Sequence, residues 1–226
     1  MAATMIFHRR FHLFSLLVLS LLIFSSVSWS PSWKRRKITF SNAQDPTVIH
    51  EHFMKLALEQ ASEAGRCGEV PIGAILVQEE QDDDSNTTTY RILAGAGNRV
   101  ETHHDASAHA ELQVLRKGAK RLKNWRLMNT TLYSTLEPCP MCLAACQAFR
   151  LPTLVYGAPD LRLGAVETHL RLLDIKHPYH NVSTVIKDIC AEDSAGMLRS
   201  FFKRRRQERG TSRKQFWRFP WRPGNT

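Results

Sequence analysis

Apolar and polar positions follow two different periods along the central part of the chain. Apolar residues recur at helical spacing through residues 52–64 and 108–122, which predicts two helices. Short continuous apolar runs bounded by Gly, Pro or polar clusters predict buried strands. The predicted strands are residues 71–78, 90–99, 131–135, 153–157 and 182–186. Two further helices are predicted over 141–149 and 189–206.

The order of these elements indicates the fold class. Helices are interleaved with strands, and a long polar loop over residues 79–89 joins the first two strands as a hairpin. We therefore predict an α/β domain with three layers, α/β/α, around a mixed sheet of about five strands. The length of 226 residues, 43% of them hydrophobic, suffices for one such core with tails.

The charge of the chain is concentrated at its two ends. The formal net charge is +10. Residues 1–44 hold six Lys/Arg and no acid, and residues 201–226 hold nine Lys/Arg with Glu208 as their only acid. A basic arm on a nearly neutral body is typical of nucleic-acid or membrane contact. We predict the domain over residues 45–208, followed by a basic, aromatic tail over 209–226.

The N-terminal segment has the composition of a targeting sequence. Arg9 and Arg10 precede the apolar run Leu13–Phe24, whose 12 residues fit a signal-peptide core better than a membrane span of about 20 residues. Residues 29–37 are basic and free of acids, like an organelle transit peptide. We predict that residues 1–44 are a plastid presequence outside the fold and the chain's only membrane contact. Mitochondrion, cytoplasm, the secretory route and an uncleaved membrane anchor are the alternatives.

Two short motifs supply candidate ligands for a metal. His109-Ala-Glu111 begins one predicted helix, and Pro138-Cys139-Pro-Met-Cys142 begins another. Two thiolates three residues apart at a helix N-terminus can face one metal, where the free backbone N–H groups stabilise their charge. One imidazole completes three ligands and leaves the fourth position open for water, as in catalytic zinc sites. We predict one Zn²⁺ on His109, Cys139 and Cys142, with Glu111 as the general acid and base.

Other interpretations of these residues are weaker. Five cysteines would suggest a disulfide framework only in a secreted chain. A zinc finger would require a fourth ligand at paired spacing. We expect Cys146 to be a packed small side chain and Glu137 a structural hydrogen-bond acceptor. His103 and His104 are predicted to be loop residues rather than ligands.

The pattern His-x-Glu…Pro-Cys-x-x-Cys resembles the signature of the zinc deaminases. Further motifs resemble the bacterial-type tRNA adenosine deaminases, and the resemblance covers about residues 48–208. These motifs are Gly68–Ala74, Asn98, Asp105, Ala108–Glu111, Thr135–Cys142, Tyr156–Ala158 with Asp160, and Phe201–Glu208. The resemblance implies a cytidine-deaminase-like fold, one zinc ion per subunit and a homodimer. It also implies hydrolytic deamination of adenosine to inosine at the wobble position of tRNA.

The resemblance further implies roles for individual residues. Contact with the target nucleoside is expected from Asn98, Asp105, Ala110 and Asp160. Contact with the anticodon loop is expected from Phe201, Phe202, Lys203, Arg204, Arg205 and Arg206. In the tail, three aromatic residues interleave with arginines, which fits either stacking on unpaired bases or an unfolded end.

Two other functions fit the same motifs. The fold could carry a free guanine, cytosine or nucleotide deaminase, but such an enzyme needs no basic arm. The chain could instead be a non-enzymatic RNA-binding subunit of a heteromeric deaminase. Such subunits typically lack the acid/base glutamate, so the presence of Glu111 counts against this function.

Overall fold

The computed structural model describes residues 37–81, 86–178 and 180–216, with the backbone alone for Gln81 and residues 209–216. The elements, in chain order, are β1 (Lys37–Ser41), α1 (Pro46–Arg66), β2 (Gly73–Gln81), β3 (Thr87–Gly97), α2 (Val100–His103), α3 (Ala110–Leu122), β4 (Thr130–Leu136), α4 (Pro140–Ala148), β5 (Thr153–Ala158), a 3₁₀ turn (Leu172–Asp174), β6 (Thr184–Ile186) and α5 (Ala191–Phe216). Each predicted helix and strand is present, with shifted ends.

The strands form one mixed sheet in the order β1-β3-β2-β4-β5-β6. Strand β3 is antiparallel to both β1 and β2, and β2 is antiparallel to β4. Strands β5 and β6 continue parallel to β4. Strands β3, β4 and β5 therefore run in one direction, and their carboxyl ends meet at one edge of the sheet.

Side chains alternate across the central strands into two apolar layers. Leu76, Leu132 and Leu154 pack on one face, against α3 and α4. Tyr133 and Val155 point to the opposite face, against α1. Helix α5 also contacts β5 and α1. The three-layer α/β/α architecture is therefore confirmed, because helices cover both faces of the sheet.

Strand β1 is an element that the sequence analysis did not predict. The prediction that residues 1–44 lie outside the fold is wrong for Lys37–Ser41, which pair with β3 from Lys37 opposite Arg91 to Ser41 opposite Thr87. The ring of Phe40 packs edge-on against Phe53, with centroids 6.2 Å apart. The extended β2–β3 hairpin provides this pairing edge, so the sheet has six strands rather than about five.

The remaining predictions on the two ends fall mostly outside the described residues. The apolar run Leu13–Phe24, the rest of residues 1–36 and the aromatic residues beyond Phe216 are not described. Within the described ranges, no helix has the length and apolar character needed to cross a membrane. The final helix, α5, is longer than predicted. Its backbone stays helical for ten residues beyond Arg206, to Phe216.

Candidate functional site

The candidate site lies where β3, β4 and β5 end. Asn98 directly follows β3, Glu137 directly follows β4, and Asp160 follows β5 by two residues. His109 is the N-cap residue of α3, and Cys139 is the N-cap residue of α4. In open α/β sheets the crevice at the carboxyl ends of the strands is the usual place for a ligand. The topology thus brings both halves of the predicted zinc motif to one edge.

His109, Cys139 and Cys142 form a compact ligand set. Their ligand atoms lie within 4.8 Å of one another. His109 Nδ1 is 3.6 Å from Cys139 Sγ and 3.4 Å from Cys142 Sγ. Around a tetrahedral zinc ion, with its usual bond lengths, nitrogen and sulfur ligands are separated by about 3.6 Å. The geometry and the chemistry of these donors therefore fit the zinc ion that the sequence predicts.

The two thiols differ in acidity because they are hydrogen-bonded to one another. The hydrogen bond with Cys142, followed by that with His109, lowers the pKa of Cys139 to about 4. The same contact with Cys139, together with burial, raises the pKa of Cys142. The hydrogen bond to Cys139 also raises the pKa of His109. Cys139 is thus the more acidic of the two thiols, and a lowered pKa favours the thiolate, which is the form that binds a metal.

Glu111 lies beside the ligand set in the first turn of α3. Its side chain is buried, with 3% exposed, and its Oε2 has no hydrogen-bond partner among the described residues. Burial raises the pKa of Glu111. A buried carboxyl oxygen without a partner is costly unless a ligand satisfies it. Glu111 is therefore placed to exchange protons with a molecule bound next to His109 and Cys139.

A cavity of about 810 Å³ opens above this group. The predicted site residues that line this cavity are Asn98, His109, Glu111, Cys139, Asp160, Phe202, Lys203 and Arg206. Cys142, which is fully buried, lies beneath the lining. A cavity of this volume accommodates a nucleoside. The structure thus gathers the predicted ligands, the predicted acid/base, and part of the basic helix around one space.

Two predicted substrate contacts do not line the cavity. Asp105 is exposed, and its carboxylate accepts hydrogen bonds from the N–H and hydroxyl of Ser107, at 2.8 and 2.7 Å. Asp105 therefore caps the turn that leads to His109. Ala110 is fully buried, and its N–H donates to Asn98 Oδ1 at 3.0 Å. Ala110 thus acts on the cavity through the orientation of Asn98.

The six predicted RNA contacts fall on two faces of α5. Phe202, Lys203 and Arg206 face the catalytic cavity. The other three line a separate groove of about 560 Å³, which lies between α5 and the end of α1; they are Phe201, Arg204 and Arg205. Phe201 is buried, with 6% exposed. A helix with 3.6 residues per turn cannot place six consecutive side chains on one face.

Four further residues of the site were not singled out as functional from the sequence. Arg162 and Arg199 add positive charge to the cavity. Glu69 and Glu137 are buried carboxylates that also line it. Glu137 accepts four backbone N–H groups, which confirms its prediction as a structural hydrogen-bond acceptor. For Glu69, the signal available in the sequence was the position of an acidic residue inside an apolar stretch.

Comparison with known proteins defines the class. The pattern of the MafB19-like deaminase family matches residues 48–206. A tRNA-specific adenosine deaminase from Haemophilus influenzae is 40% identical over 159 residues, which cover 70% of this chain and 86% of that protein. Its counterpart from Bacillus subtilis is 38% identical, covering 73% and 95%. A chloroplastic tRNA(adenine(34)) deaminase from Arabidopsis thaliana is 37% identical over 70% of this chain, but over only 12% of that longer protein.

Solved structures agree with this class. One structure, from a study of A-to-I editing by tRNA:A34 deaminases at the wobble position, has a TM-score of 0.57 and 41% identity. The match covers 65% of this chain and 99% of that one. A guanine deaminase from Nitrosomonas europaea, 18% identical with a TM-score of 0.55 over 74% and 88% of the two chains, shares the fold. The fold and the site are thus those of a deaminase. The chain belongs to the family of tRNA-specific adenosine deaminases.

Proposed function

We propose that this chain catalyses the hydrolytic deamination of adenosine to inosine at position 34 of tRNA. The observation that carries the proposal is the content of one cavity. Its lining includes His109 and Cys139 of the His/Cys/Cys ligand set, Glu111 with its unpartnered Oε2, and the cations Lys203 and Arg206. A free base offers no phosphate for these cations, whereas RNA does.

The residues of the ligand set would hold one zinc ion per subunit. When bound there, zinc lowers the pKa of a coordinated water towards neutrality and thereby supplies the nucleophile. Glu111 accepts a proton as the new C6–O bond forms, and donates it to N1 of the adenine ring. Glu111 then accepts the remaining proton of the new C6 hydroxyl and passes it to the amino group as the C6–N bond breaks, so that ammonia leaves and the C6 carbonyl forms. The balance is adenosine and water to inosine and ammonia.

The side chains around the cavity would orient the target base. Asn98 Oδ1 is held by Ala110, which leaves the Nδ2 group of Asn98 as the donor for the nucleoside. Asp160 also lines the cavity, at the start of the loop after β5. The adenine must leave its stack to reach Glu111, which costs less in a single-stranded anticodon loop than in a duplex.

The experiment that tests the proposal uses the full chain and an unmodified tRNA bearing adenosine at position 34. Sequencing should detect inosine at that position alone, and Glu111→Gln should lower the rate by about 10²–10⁴ because proton transfer is lost. Free adenosine, guanine and cytosine serve as parallel substrates. Ammonia release from a free base, with none from tRNA, would establish the free-base function instead. A folded, zinc-loaded chain that is inactive on tRNA and on the free bases would refute the proposal for this chain alone and favour a heteromeric deaminase.

We further propose that the chain forms a homodimer and that residues 1–36 act as a plastid presequence. The relatives named for the tRNA reaction include a chloroplastic protein, which supports the plastid. Since β1 begins at Lys37, cleavage should occur upstream of that residue. Light scattering measures the assembly, and a fluorescent fusion of residues 1–36 tests the targeting. A monomer, or a cytosolic fusion, would refute the respective proposal.

A further inference from the structure

The buried carboxylate of Glu137 accepts hydrogen bonds from a single segment of the chain. The side chain is 2% exposed and lies two residues before the ligand Cys139. Oε1 accepts the N–H groups of Val166 at 3.0 Å, Glu167 at 2.8 Å and Thr168 at 3.2 Å, and Oε2 accepts the N–H of Asp160 at 3.0 Å and the hydroxyl of Thr168. Both oxygens are thus saturated by residues 159–168, here called the cavity loop.

Backbone hydrogen bonds join the same two segments. The N–H of Glu137 donates to Ala158 O at 2.8 Å, and the N–H of Ala165 donates to Pro138 O at 2.9 Å. A Cβ built on Gly164 would overlap Glu137 Oε2, so a glycine is required at this position for the carboxylate to sit where it does. The turn that carries Cys139 and the cavity loop are therefore joined by both side-chain and backbone hydrogen bonds.

The cavity loop carries side chains at the mouth of the catalytic cavity. Asp160, Arg162 and Leu163 all line it. Asp160 Oδ1 accepts the N–H groups of Arg162 at 3.0 Å and Leu163 at 3.3 Å, which fixes the start of the loop. The guanidinium of Arg162 lies 5.9 Å from the ring centroid of Phe202 on α5. The loop thus connects the ligand turn to the basic helix.

The hydrogen bonds that satisfy the Glu137 carboxylate all come from the cavity loop. A buried charge is costly, and the free energy is recovered only when charged hydrogen bonds satisfy both oxygens. The exposed side chains of Arg162 and Leu163 in the cavity loop line the cavity. The hydrogen bonds therefore hold side chains that a substrate would meet.

We propose that Glu137 is a positioning residue for the substrate: its carboxylate fixes the cavity loop to the Cys139 turn so that Arg162 and Leu163 meet the RNA at the cavity mouth. This proposal rests on the proposed function. It goes beyond a packing role because it predicts that Glu137 acts on substrate affinity through Arg162, at a distance from the reacting atoms.

The first test reads the loop itself and does not depend on activity. Hydrogen exchange is measured in the full, zinc-loaded chain for Glu137→Gln and Gly164→Ala. In both variants the amides of Asp160, Val166, Glu167 and Thr168 should exchange about tenfold faster, since their shared acceptor is weakened or displaced. Unchanged exchange at these four amides in either variant overturns the proposal.

Two matched variants serve as controls for the same chemical changes. Glu59→Gln removes a carboxylate from the exposed face of α1. Gly196→Ala adds a methyl group whose nearest neighbour would be Arg199 Nη2 at 3.8 Å. Neither should alter exchange in the cavity loop. Faster exchange there in both controls would mean that the loop responds to any change, and would also overturn the proposal.

The second test separates positioning from general damage. With tRNA as substrate, Glu137→Gln should raise KM about tenfold and leave kcat within about twofold, because loop contacts bind the substrate while Glu111 remains in place. Arg162→Ala should raise KM in the wild-type chain and have little further effect in Glu137→Gln. A fall in kcat at constant KM, or additive effects of the two changes, contradicts the proposal.

The two proposals fail in distinguishable ways. A wild-type chain without activity on tRNA would refute the proposed function, whereas the exchange of the four loop amides would still decide whether Glu137 holds the loop. Wild-type activity combined with unchanged exchange in Glu137→Gln would refute the positioning role alone.

Discussion

Asn98 and Ala110 are joined by a hydrogen bond of 3.0 Å, which runs from the backbone N–H of Ala110 to Oδ1 of Asn98. Ala110 lies between the candidate ligand His109 and Glu111, so this bond ties the end of β3 to the turn that carries both. It also fixes the orientation of the Asn98 amide, since Oδ1 faces α3. Nδ2 is then the group available to a substrate.

Replacing Asn98 with Asp should separate these two functions. The carboxylate can still accept the Ala110 N–H, but it cannot donate to the nucleoside. We expect kcat/KM on tRNA to fall by about 10–100-fold, the effect of one lost hydrogen bond to substrate. Steady-state kinetics measures this, with zinc content and melting temperature as controls. Activity within about twofold of wild type would exclude a substrate contact by Asn98.

The ligand set predicts a specific dependence on zinc. Cys142→Ser should abolish stoichiometric zinc binding and activity, because a fully buried hydroxyl replaces a thiolate ligand. Cys67→Ser is the matched control, since Cys67 is exposed and does not belong to the ligand set. Metal analysis of both proteins should show zinc in the control only. A zinc-loaded Cys142→Ser protein would show that other residues bind the metal.

The lowered pKa of Glu69 predicts that the folded protein loses stability as the pH falls. Burial alone would raise the pKa of Glu69, but hydrogen bonds from Thr102 and Glu101 lower it below the ordinary value of 4.5. The native state therefore binds fewer protons than the unfolded state as the pH falls past 4.5. The stabilisation is present above that pH and is lost as the pH falls through the folded pKa.

Glu69→Gln should accordingly lower the melting temperature at neutral pH. The difference from wild type should shrink as the pH falls below 4.5, because protonation removes the same interaction from the wild-type protein. Thermal unfolding over a pH series checks this, with Glu59→Gln as the control. A difference of constant size at every pH would assign the effect to packing rather than to charge.

The two faces of α5 predict different effects of equal charge changes. A double change of Lys203 and Arg206 to Ala removes two cations from the catalytic cavity. It should raise KM for tRNA. It should also reduce the slope of the logarithm of the binding constant against the logarithm of salt concentration by about 1.4, the value for two phosphate contacts on a single strand. The same double change at Arg204 and Arg205, on the opposite groove, should have the smaller effect. Equal effects would mean that RNA covers both faces.

Strand β1 predicts that the domain begins before Asp45. A chain starting at Asp45 exposes the edge of β3 and removes the partly buried side chains of Ile38 and Phe40. The loss should be about 1–3 kcal/mol, or several degrees in melting temperature. A chain starting at Lys37 is the control. Equal melting temperatures would show that β1 contributes nothing to stability.

Local sequence was sufficient for the fold class and for the chemical groups of the site. Helical and strand periods are properties of neighbouring residues, so each central element was predictable. The spacing of Cys139 and Cys142 places both thiols at one helix N-terminus, whatever the rest of the chain does. The spacing of His109 and Glu111 likewise places both at the start of α3. These parts of the interpretation needed no tertiary information beyond the helices themselves.

Tertiary structure decided what long-range pairing alone can create. The candidate ligand His109 lies 30 residues from Cys139 and reaches it only because the carboxyl ends of β3 and β4 meet at one sheet edge. Strand β1 has a composition that suits a transit peptide equally well, and its strand state depends on the free edge of β3. Tertiary packing also determines which groups donate hydrogen bonds to Glu137. It likewise determines which side chains of α5 face the catalytic cavity and which face the separate groove. Contacts between residues distant in the chain depend on strand order and helix rotation, which local spacing does not specify.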